Sequence, residues 1–331
     1  MATIRDVAKA AGVSTATVSR VLNNPQQVRE KTRLRVEKVI EELNYRPDPT
    51  ARRLSMGRSF TIRVGLPFLT RASFIERLRA IESTLADSNY DMIVSNVETM
   101  LKRAAYFGNV AHGRGVDGHL IISLQPTDQQ AKMISEAKVP VVLVDAYHPL
   151  LPSVDIDDVE GGRLAAEHLL AKGHRRFAFL GDKVDKKMFF STQERLQGFK
   201  DGLAQAGVLL PEENHFRVSY SRQEALDVVT SIFSRPKDKR PTAIFAAMDS
   251  TAVGLLDGLR RQGLRAPDDL AIVGFDDLEI AKVNNLTTIR QPLYESGKEG
   301  IRYLLKILTT NDPLPAERIV LPLTLIERST T

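Results

Sequence analysis

The sequence predicts a small all-helical unit followed by a large α/β body with two doubly wound parallel sheets. In the first 43 residues, apolar side chains recur at the three- and four-residue spacing of helices. From Thr61 onward, short runs rich in β-branched and aromatic residues alternate with amphipathic helical stretches, which is typical of parallel βαβ units. So many strands would make one sheet unusually wide, and we therefore expect two sheets.

The basic charge of the chain is confined to its beginning. Residues 1–58 hold 12 Lys and Arg against 6 Asp and Glu, whereas the remaining residues hold 34 against 35. A compact basic unit ahead of a nearly neutral body is typical of a domain that binds a polyanion, because Lys and Arg displace counterions from phosphates. A solvated basic tail is the alternative, but the helical periodicity of the same residues argues against it.

Composition excludes several other classes of protein. The chain has no cysteine, which excludes disulfides, thiolate metal ligands and a cysteine nucleophile. It has no run of eighteen apolar residues and no signal-peptide pattern, so we expect a cytoplasmic protein without a membrane partner. The glycines of GRGVDG match a dinucleotide fingerprint but precede a strand, and no metal-binding histidine spacing, GxSxG elbow or GxxxxGK(S/T) loop is present. The sequence therefore predicts neither an enzyme nor a cofactor or metal.

The opening residues predict a helix, a tight turn and a second helix. Thr3 and Asp6 have the spacing of an N-terminal cap, Gly12 ends the first helix, and Ser14 is placed to cap the second. The apolar residues of STATVSRVLNN make one stripe, which leaves the other face with small hydroxyl side chains and Arg20. Since a solvated helix face usually carries Glu, Lys and Gln, this composition indicates a contact surface.

Two helices joined in this way form a helix-turn-helix, whose second helix lies in the major groove of DNA. Thr15, Ala16 and Arg20 are then placed to face the bases. An arginine can bind guanine through two hydrogen bonds, a threonine can donate or accept, and the alanine methyl group fits against thymine. The remaining polar residues of the unit are interpreted as caps and phosphate contacts: Thr3, Ser14, Thr17, Ser19 and Asn23.

A third helix follows the loop at Pro25 and is predicted to complete the core. Its apolar positions share one face: Val36, Val39, Ile40 and Leu43. Pro47 and Pro49 then end the helical pattern, and residues 51–54 are too few to form a stable helix alone. Taken by itself, this segment is a linker.

The stretches TIRDVAKAAGVSTATVSRVLNN and VREKTRLRVEKVIEELNYRPDPTARRL resemble the LacI/GalR family of bacterial transcription regulators. The resemblance implies a helix-turn-helix headpiece over 1–46, a hinge helix and linker over 47–60, and an effector-binding body over 61–331. It therefore implies a sequence-specific DNA-binding regulator, in particular a repressor, that is controlled by a small molecule.

The resemblance also assigns roles to the end of the headpiece. Tyr45 and Arg46 match the family's phosphate-contacting residues at the end of the third helix. Ala51, Arg52 and Leu54 match a hinge helix that orders on operator DNA and inserts its leucine as a wedge into the minor groove. The alternative for this segment is a linker with one incidental leucine.

For the body, the resemblance implies a fold like that of periplasmic sugar-binding proteins. The N-subdomain would comprise about 61–158 and 292–316, and the C-subdomain about 162–287 and 317–331. The effector would bind in the cleft between the subdomains. The general rule for open α/β sheets agrees, since ligands bind beyond the carboxyl ends of the strands.

The strand-end rule gives candidate effector contacts from the residues themselves. Asp145, Asp276 and Tyr220 each end a predicted strand. A carboxylate can accept paired hydroxyl groups and an aromatic ring can stack on a sugar face, although each residue could equally cap the next helix. Asp249, directly ahead of a helical stretch, fits a cap better than a ligand contact.

The family resemblance implies further effector contacts: Ser73, Phe74, Ser191, Arg195, Met248 and Gln291. We expect Arg195 and Asp276 to face each other across the cleft. Met248 stands where many relatives have Asn, and several phenylalanines lie near in sequence, so we expect a pocket less polar than a typical sugar site. A sugar or sugar derivative is the expected effector, with a nucleobase or another non-sugar ligand as the alternative.

The expected assembly is a homodimer on near-palindromic double-stranded operator DNA. A lone headpiece reads few base pairs, and an unstable hinge needs a second copy beside it. The sequence ends at Thr331 without a heptad extension that would build a tetramer. Two other classes remain as alternatives: a solute-binding protein, which would lack the basic headpiece, and a sugar-modifying enzyme, which would need a catalytic base and nucleophile.

Overall fold

The chain divides into two compact units, Met1–Phe60 and Thr61–Thr331. The structure is a computed structural model, and it describes residues 2–45, 58–113, 115–183, 190–219, 221–310 and 315–331.

The first unit has one small apolar core beneath three helices, α1 (Ile4–Ala11), α2 (Thr15–Asn23) and α3 (Glu30–Glu42). The fully buried side chains of this core are Val7, Ala8, Ala11, Val18, Val21, Val36 and Val39. The prediction that Leu43 is buried is wrong. This residue follows the last residue of α3, and its side chain is 38% exposed.

The first half of the second unit is a six-stranded sheet in the order β11-β5-β4-β3-β1-β2. Its strands are β1 (Thr61–Leu66), β2 (Asp91–Asn96), β3 (Gly118–Ile122), β4 (Val141–Val144), β5 (Ser153–Asp155) and β11 (Arg318–Val320). All neighbouring strands are parallel. The helices of this half are α4 (Ala72–Leu85), α5 (Met100–Ala111), α6 (Asp128–Glu136) and α12 (Leu293–Thr309).

The second half is a six-stranded sheet in the order β12-β10-β9-β8-β6-β7. Its strands are β6 (Phe177–Asp182), β7 (His215–Val218), β8 (Ala243–Ala246), β9 (Ala271–Asp276), β10 (Thr287–Arg290) and β12 (Thr324–Ile326). Only the pair β10 and β12 is antiparallel among the described strands. The helices of this half are α7 (Asp158–Ala171), α8 (Ser191–Gln205), α9 (Arg222–Phe233), α10 (Asp249–Arg261) and α11 (Glu279–Val283).

Each sheet has a separate apolar cluster on either face, which confirms the prediction of two doubly wound sheets. Because both faces are covered, the central strands are apolar and buried along their whole length, as in β4 and β8.

The chain crosses between the two halves three times. The crossings lie between β5 and α7, between β10 and α12, and between β11 and β12. The third crossing falls after Val320 and not at residue 317 as expected, because β11 still pairs with β5 in the first sheet. The run IVLPLTLIE is therefore two strands in two sheets.

Glycines set the position of helix α8 against helix α7. A Cβ on Gly198 would overlap the carbonyl oxygen of Val159, and a Cβ on Gly162 would overlap that of Arg195. The two helix backbones therefore approach as closely as only glycine allows. This contact places the first turn of α8 beside the first crossing of the chain.

Candidate nucleic-acid interface and ligand cleft

Capping contacts on both helices fix the turn between α1 and α2. The Asp6 carboxylate accepts a hydrogen bond from the Thr3 backbone N–H at 2.8 Å, which together with the Thr3 hydroxyl lowers the pKa of Asp6. Gly12 ends α1 with φ of 63°, in the left-handed region that favours glycine. The Ser14 hydroxyl then accepts from the Thr17 backbone N–H at 3.2 Å and begins α2.

The face of α2 opposite the core carries the predicted base contacts. Thr15, Ala16 and Arg20 are exposed, while Thr17 and Ser19 are partly buried beside them. Within the part of the chain that the structure describes, no carboxylate pairs with Arg20, so its guanidinium is available to an acceptor outside the chain. Side chains of these types contact base edges in the major groove of DNA. The individual DNA contacts stay predictions.

The predicted contacts at the end of the headpiece are only partly described. The Tyr45 ring packs against the headpiece core and is partly buried, and its backbone N–H donates to the Ile40 carbonyl at 2.9 Å. The remaining predicted contacts lie outside the described residues: Arg46, Ala51, Arg52, Leu54 and the side chain of Asn23.

In the second unit, a buried guanidinium connects the two halves of the body. Arg77, on α4, lies 3.0 Å from the Asp145 carboxylate at the end of β4 and donates to the Gln291 side-chain carbonyl at 3.0 Å. The Gln291 amide in turn donates to the carboxylate of Asp276, at the end of β9. Because β4 and β9 belong to different sheets, this chain of hydrogen bonds spans the cleft.

A second buried ion pair also joins the two halves. The Arg71 guanidinium, just before α4, lies 2.8 Å from the carboxylate of Asp182 at the end of β6. It also lies 3.7 Å from the centre of the Phe68 ring and contacts the Met248 sulfur at 3.9 Å. Since a buried ion left without its partner is strongly destabilising, this pair favours the arrangement in which the halves are close.

Arg195 is held within the second half of the body by buried contacts. From α8 its guanidinium donates to the Asp158 carboxylate at 2.7 Å and to the Ala247 carbonyl at 2.7 Å, and it lies 3.5 Å above the centre of the Phe275 ring. The expectation that Arg195 and Asp276 face each other across the cleft is wrong, because both belong to the second half of the body.

A cavity of about 380 Å³ lies beside these ion pairs, between the two halves. Two partly exposed rings, Tyr147 and Phe190, form part of its wall. The expectation of a less polar pocket is wrong, because most of the lining is polar: Ser123, Gln125, Asp145, Asp155, Asp158, Ser191, Glu194 and Arg318. Such a cavity, with rings and converging hydrogen-bonding groups, is suited to a small polar ligand.

Burial makes several carboxyl groups of the cleft weaker acids than usual. It raises the pKa of Asp158 and of Asp276 to about 6, against the opposing effect of the Arg195 charge. Glu194 keeps exposed surface, but the cavity wall and the neighbouring carboxylates raise its pKa to about 7. Asp145 and Asp276 also have positive φ values, 54° and 119°, which are strained for residues other than glycine. Strain and shifted pKa values together are typical of a functional site.

The predicted effector contacts fall into distinct environments. Asp145 and Ser191 line the cavity, whereas Arg195, Asp276, Gln291 and Met248 form the buried contacts described above. Ser73 is half-buried in the first turn of α4, and Tyr220 lies outside the described residues. The prediction that Phe74 contacts the effector is wrong, because its ring is 1% exposed and packs in the core of the first half.

The prediction that the Asp249 side chain caps a helix is also wrong. It occupies the first turn of α10, and its carboxylate accepts from the Leu278 backbone N–H at 2.8 Å and from the Thr288 hydroxyl at 2.6 Å. These two bonds connect the end of β9 with β10. Asp249 therefore supports the loop that carries Asp276.

Several residues of the cleft were not predicted from the sequence: Arg71, Arg77, Asp182 and Glu194. A signal existed for Asp182, since it ends the strand FAFLGD as Asp145 and Asp276 end theirs. The arginines gave no such signal, because their partners are distant in the sequence.

None of the helices in the described ranges combines the length and the hydropathy that a membrane span requires. No three histidine or acidic side chains of that part of the chain converge in a way that could hold a metal ion.

A helix-turn-helix unit on the same chain as a body with a polar cleft is the organisation of a ligand-controlled transcription regulator. Residues 3–48 match the model of the bacterial regulatory proteins of the lacI family, and residues 166–331 match that of a periplasmic binding protein-like domain. The chain belongs to the LacI family. It is therefore a DNA-binding transcriptional regulator and not an enzyme.

Similar proteins cover almost the whole chain. The transcriptional repressor PurR of Vibrio vulnificus is 34% identical over 312 residues, which is 92% of each chain. The ribose operon repressor of Escherichia coli is 32% identical over 335 residues, which is 99% of each chain. Catabolite control protein A of Priestia megaterium is 31% identical over 310 residues and 92% of each chain.

Solved structures confirm the predicted fold. The lac repressor dimer bound to operator and the anti-inducer ONPF is 29% identical, with a TM-score of 0.84 over 99% of this chain and 98% of that chain. The regulator CelR in complex with cellobiose is also 29% identical, with a TM-score of 0.70 over the full length of both chains.

The raised pKa of Asp276 predicts how stability depends on pH. A carboxyl with a raised pKa stabilises the fold at low pH, and this contribution is lost as the pH rises from about 4 to about 6. Asparagine does not ionise. The free energy of unfolding of Asp276→Asn, relative to that of the native chain, should therefore rise by about 2 kcal/mol between pH 4.5 and pH 7.5. Urea unfolding at both pH values measures the difference. The control Asp87→Asn, at an exposed position, should show the same pH dependence of stability as the native chain. The same pH dependence in Asp276→Asn would contradict the raised pKa of Asp276.

Proposed function

We propose that the protein is a repressor that acts as a dimer on a near-palindromic operator in the cytoplasm, under the control of a small-molecule effector. The effector is a sugar or sugar derivative that binds in the cleft between the two halves of the body. The observation that carries this proposal is the chain of buried hydrogen bonds from Asp145 through Arg77 and Gln291 to Asp276, beside a polar cavity.

The position of the cavity gives an effector control over the body. Ser123 and Asp145 line it from the first half, while Ser191 and Glu194 line it from the second half. A ligand that contacts both walls has unequal affinity for the open and closed arrangements, and only such a ligand can shift the equilibrium between them. The CelR complex holds cellobiose, which supports a carbohydrate as the effector.

Exposed apolar side chains support the dimer. Ile280 and Val283 lie one turn apart on α11 and are exposed, and Ile93 is exposed on the edge strand β2 of the other sheet. A second copy of the chain would cover such residues. The lac repressor is a dimer in its operator complex. Two headpieces would read two half-sites, since one headpiece alone reads only a few base pairs.

Arg20 is predicted to specify one base position of the operator. Arg20→Ala should lower operator affinity by about 1–3 kcal/mol and relax the preference at one position of each half-site, because a bidentate contact to guanine is lost. Arg35→Ala removes the same charge from an exposed position of α3 and is the matched control. Binding to the operator and to random DNA is measured at one salt concentration. An equal loss on both DNAs for Arg20→Ala would show that Arg20 contacts phosphate only.

Asp276 is predicted to transmit the effector signal. Asp276→Ala should abolish the change in operator affinity that the effector causes, while leaving operator binding without effector nearly unchanged. A thermal-shift screen of sugars, sugar phosphates and nucleobases supplies the effector, because a ligand of the native state raises the melting temperature. Operator titrations of Asp276→Ala and of the exposed control Asp87→Ala are then compared. A normal response of Asp276→Ala at an unchanged effector concentration would contradict the proposed role of the cleft.

A further inference from the structure

The cavity has one carboxylate more than it has guanidinium partners. Three of its four carboxylates pair one to one with arginines at 3.0, 3.0 and 2.7 Å: Asp145 with Arg77, Asp155 with Arg318 and Asp158 with Arg195. The fourth, Glu194, has neither an ion pair nor a side-chain hydrogen bond within the described residues. The paired groups cancel in charge, so among the described residues that line the cavity the net charge is the single negative charge of Glu194 when that group is ionised.

A second polar group faces the cavity without a partner. Ser191 precedes Glu194 by three residues on α8, and therefore the two side chains lie on the same face of the helix. Ser191 is only 7% exposed, and its hydroxyl has no hydrogen-bond partner in the described part of the structure. Buried hydroxyl groups are almost always hydrogen-bonded, so this one indicates a group that the ligand supplies.

The apolar part of the wall is suited to a ring. Tyr147 and Phe190 both line the cavity and keep exposed surface. One face of the Tyr147 ring is covered by the Arg318 guanidinium, which lies 4.2 Å from the ring centre. Aromatic side chains next to hydroxyl and carboxylate groups present both an apolar surface and acceptors to a ring that carries polar substituents.

We propose that the effector carries an ammonium group on a hydroxylated ring, that Glu194 binds the ammonium, and that Ser191 binds a neighbouring hydroxyl. This inference rests on the proposed function, because it takes the cavity as the effector site. It adds the charge of the ligand and identifies Glu194 as the residue that determines specificity.

The charge balance of the cavity argues against the other ligand charges. A phosphate ester would bring further negative charge beside four carboxylates, and each lining or neighbouring guanidinium already has its carboxylate. With an uncharged ring Glu194 keeps no counter-ion beside Asp158 and Asp145, and its pKa of about 7 leaves about half of this group protonated at pH 7. A cation favours its ionised form. An ammonium group supplies the missing positive charge, and its hydrogen bond to a carboxylate is of the strong charge-assisted kind.

Sets of three compounds that share one sugar ring and differ in charge test the proposal. Melting temperatures of the full chain at pH 7 are measured with D-glucosamine, D-glucose and D-glucose 6-phosphate, and with the corresponding galactose and mannose compounds. In at least one set the amine should raise the melting temperature most, and no phosphate should raise it. The proposal is overturned if no amine raises the melting temperature, if a neutral ring equals or exceeds its amine, or if a phosphate binds.

The variant Glu194→Gln tests whether Glu194 binds the ammonium group. Glu194→Gln should weaken binding of the amine about tenfold or more and change binding of the neutral ring by less than about twofold, because only the charge is removed. Asp201→Asn removes a charge from an exposed position of the same helix and should bind the amine as the native chain does. Unchanged amine affinity in Glu194→Gln overturns the assignment.

Operator titrations with the same compounds separate this inference from the proposed function. A neutral ring that binds best and changes operator affinity overturns the ammonium assignment and leaves effector control intact. An amine that binds through Glu194 without changing operator affinity supports the assignment of the cavity and contradicts the proposed effector control.

Discussion

The arrangement of the body depends on the guanidinium of Arg77. This side chain is 2% exposed, and it faces Asp145 of the first sheet and Gln291 at the second crossing of the chain. Gln291 extends the contact to Asp276 of the second sheet. Arg77 and Asp145 both belong to the first half, so the connection to the second half runs through the two hydrogen bonds of the Gln291 side chain. Buried polar groups left without a partner are costly, so these bonds favour the arrangement of the halves that keeps them. A ligand bound beside them changes which arrangement is favoured.

The two aspartates at the ends of this chain of contacts are also strained. Both Asp145 and Asp276 have a positive φ, which an aspartate adopts only when its surroundings compensate for the strain. The Asp145 carboxylate contacts Arg77 and the Ser123 hydroxyl, and the Asp276 carboxylate accepts from Gln291. The strained aspartates and the buried ion pair therefore lie together, next to the cavity. A ligand bound in the cavity can change the contacts that these groups make.

Local patterns predicted the parts of the fold that local forces determine. The caps at Thr3 and Ser14, the periodicity of α2 and the alternation of strands and helices were sufficient for both units. The strand-end rule found Asp145 and Asp276. Arg77 was missed because its partner Gln291 is 214 residues away, and only the tertiary fold brings them together. Pro322, which cannot continue a strand ladder, was the overlooked signal that IVLPLTLIE is two strands.

A double-mutant cycle between Arg77→Met and Asp276→Asn tests most directly whether Arg77 couples the two halves. The free energy of unfolding of the body is measured at pH 7.5 for the native chain, both single variants and the double variant. Residues in one hydrogen-bond network show interaction energies of about 0.5–3 kcal/mol, and we expect a value in that range. Additivity within about 0.3 kcal/mol would mean that the two residues act independently, and it would contradict a connection between the halves through Arg77 and Gln291.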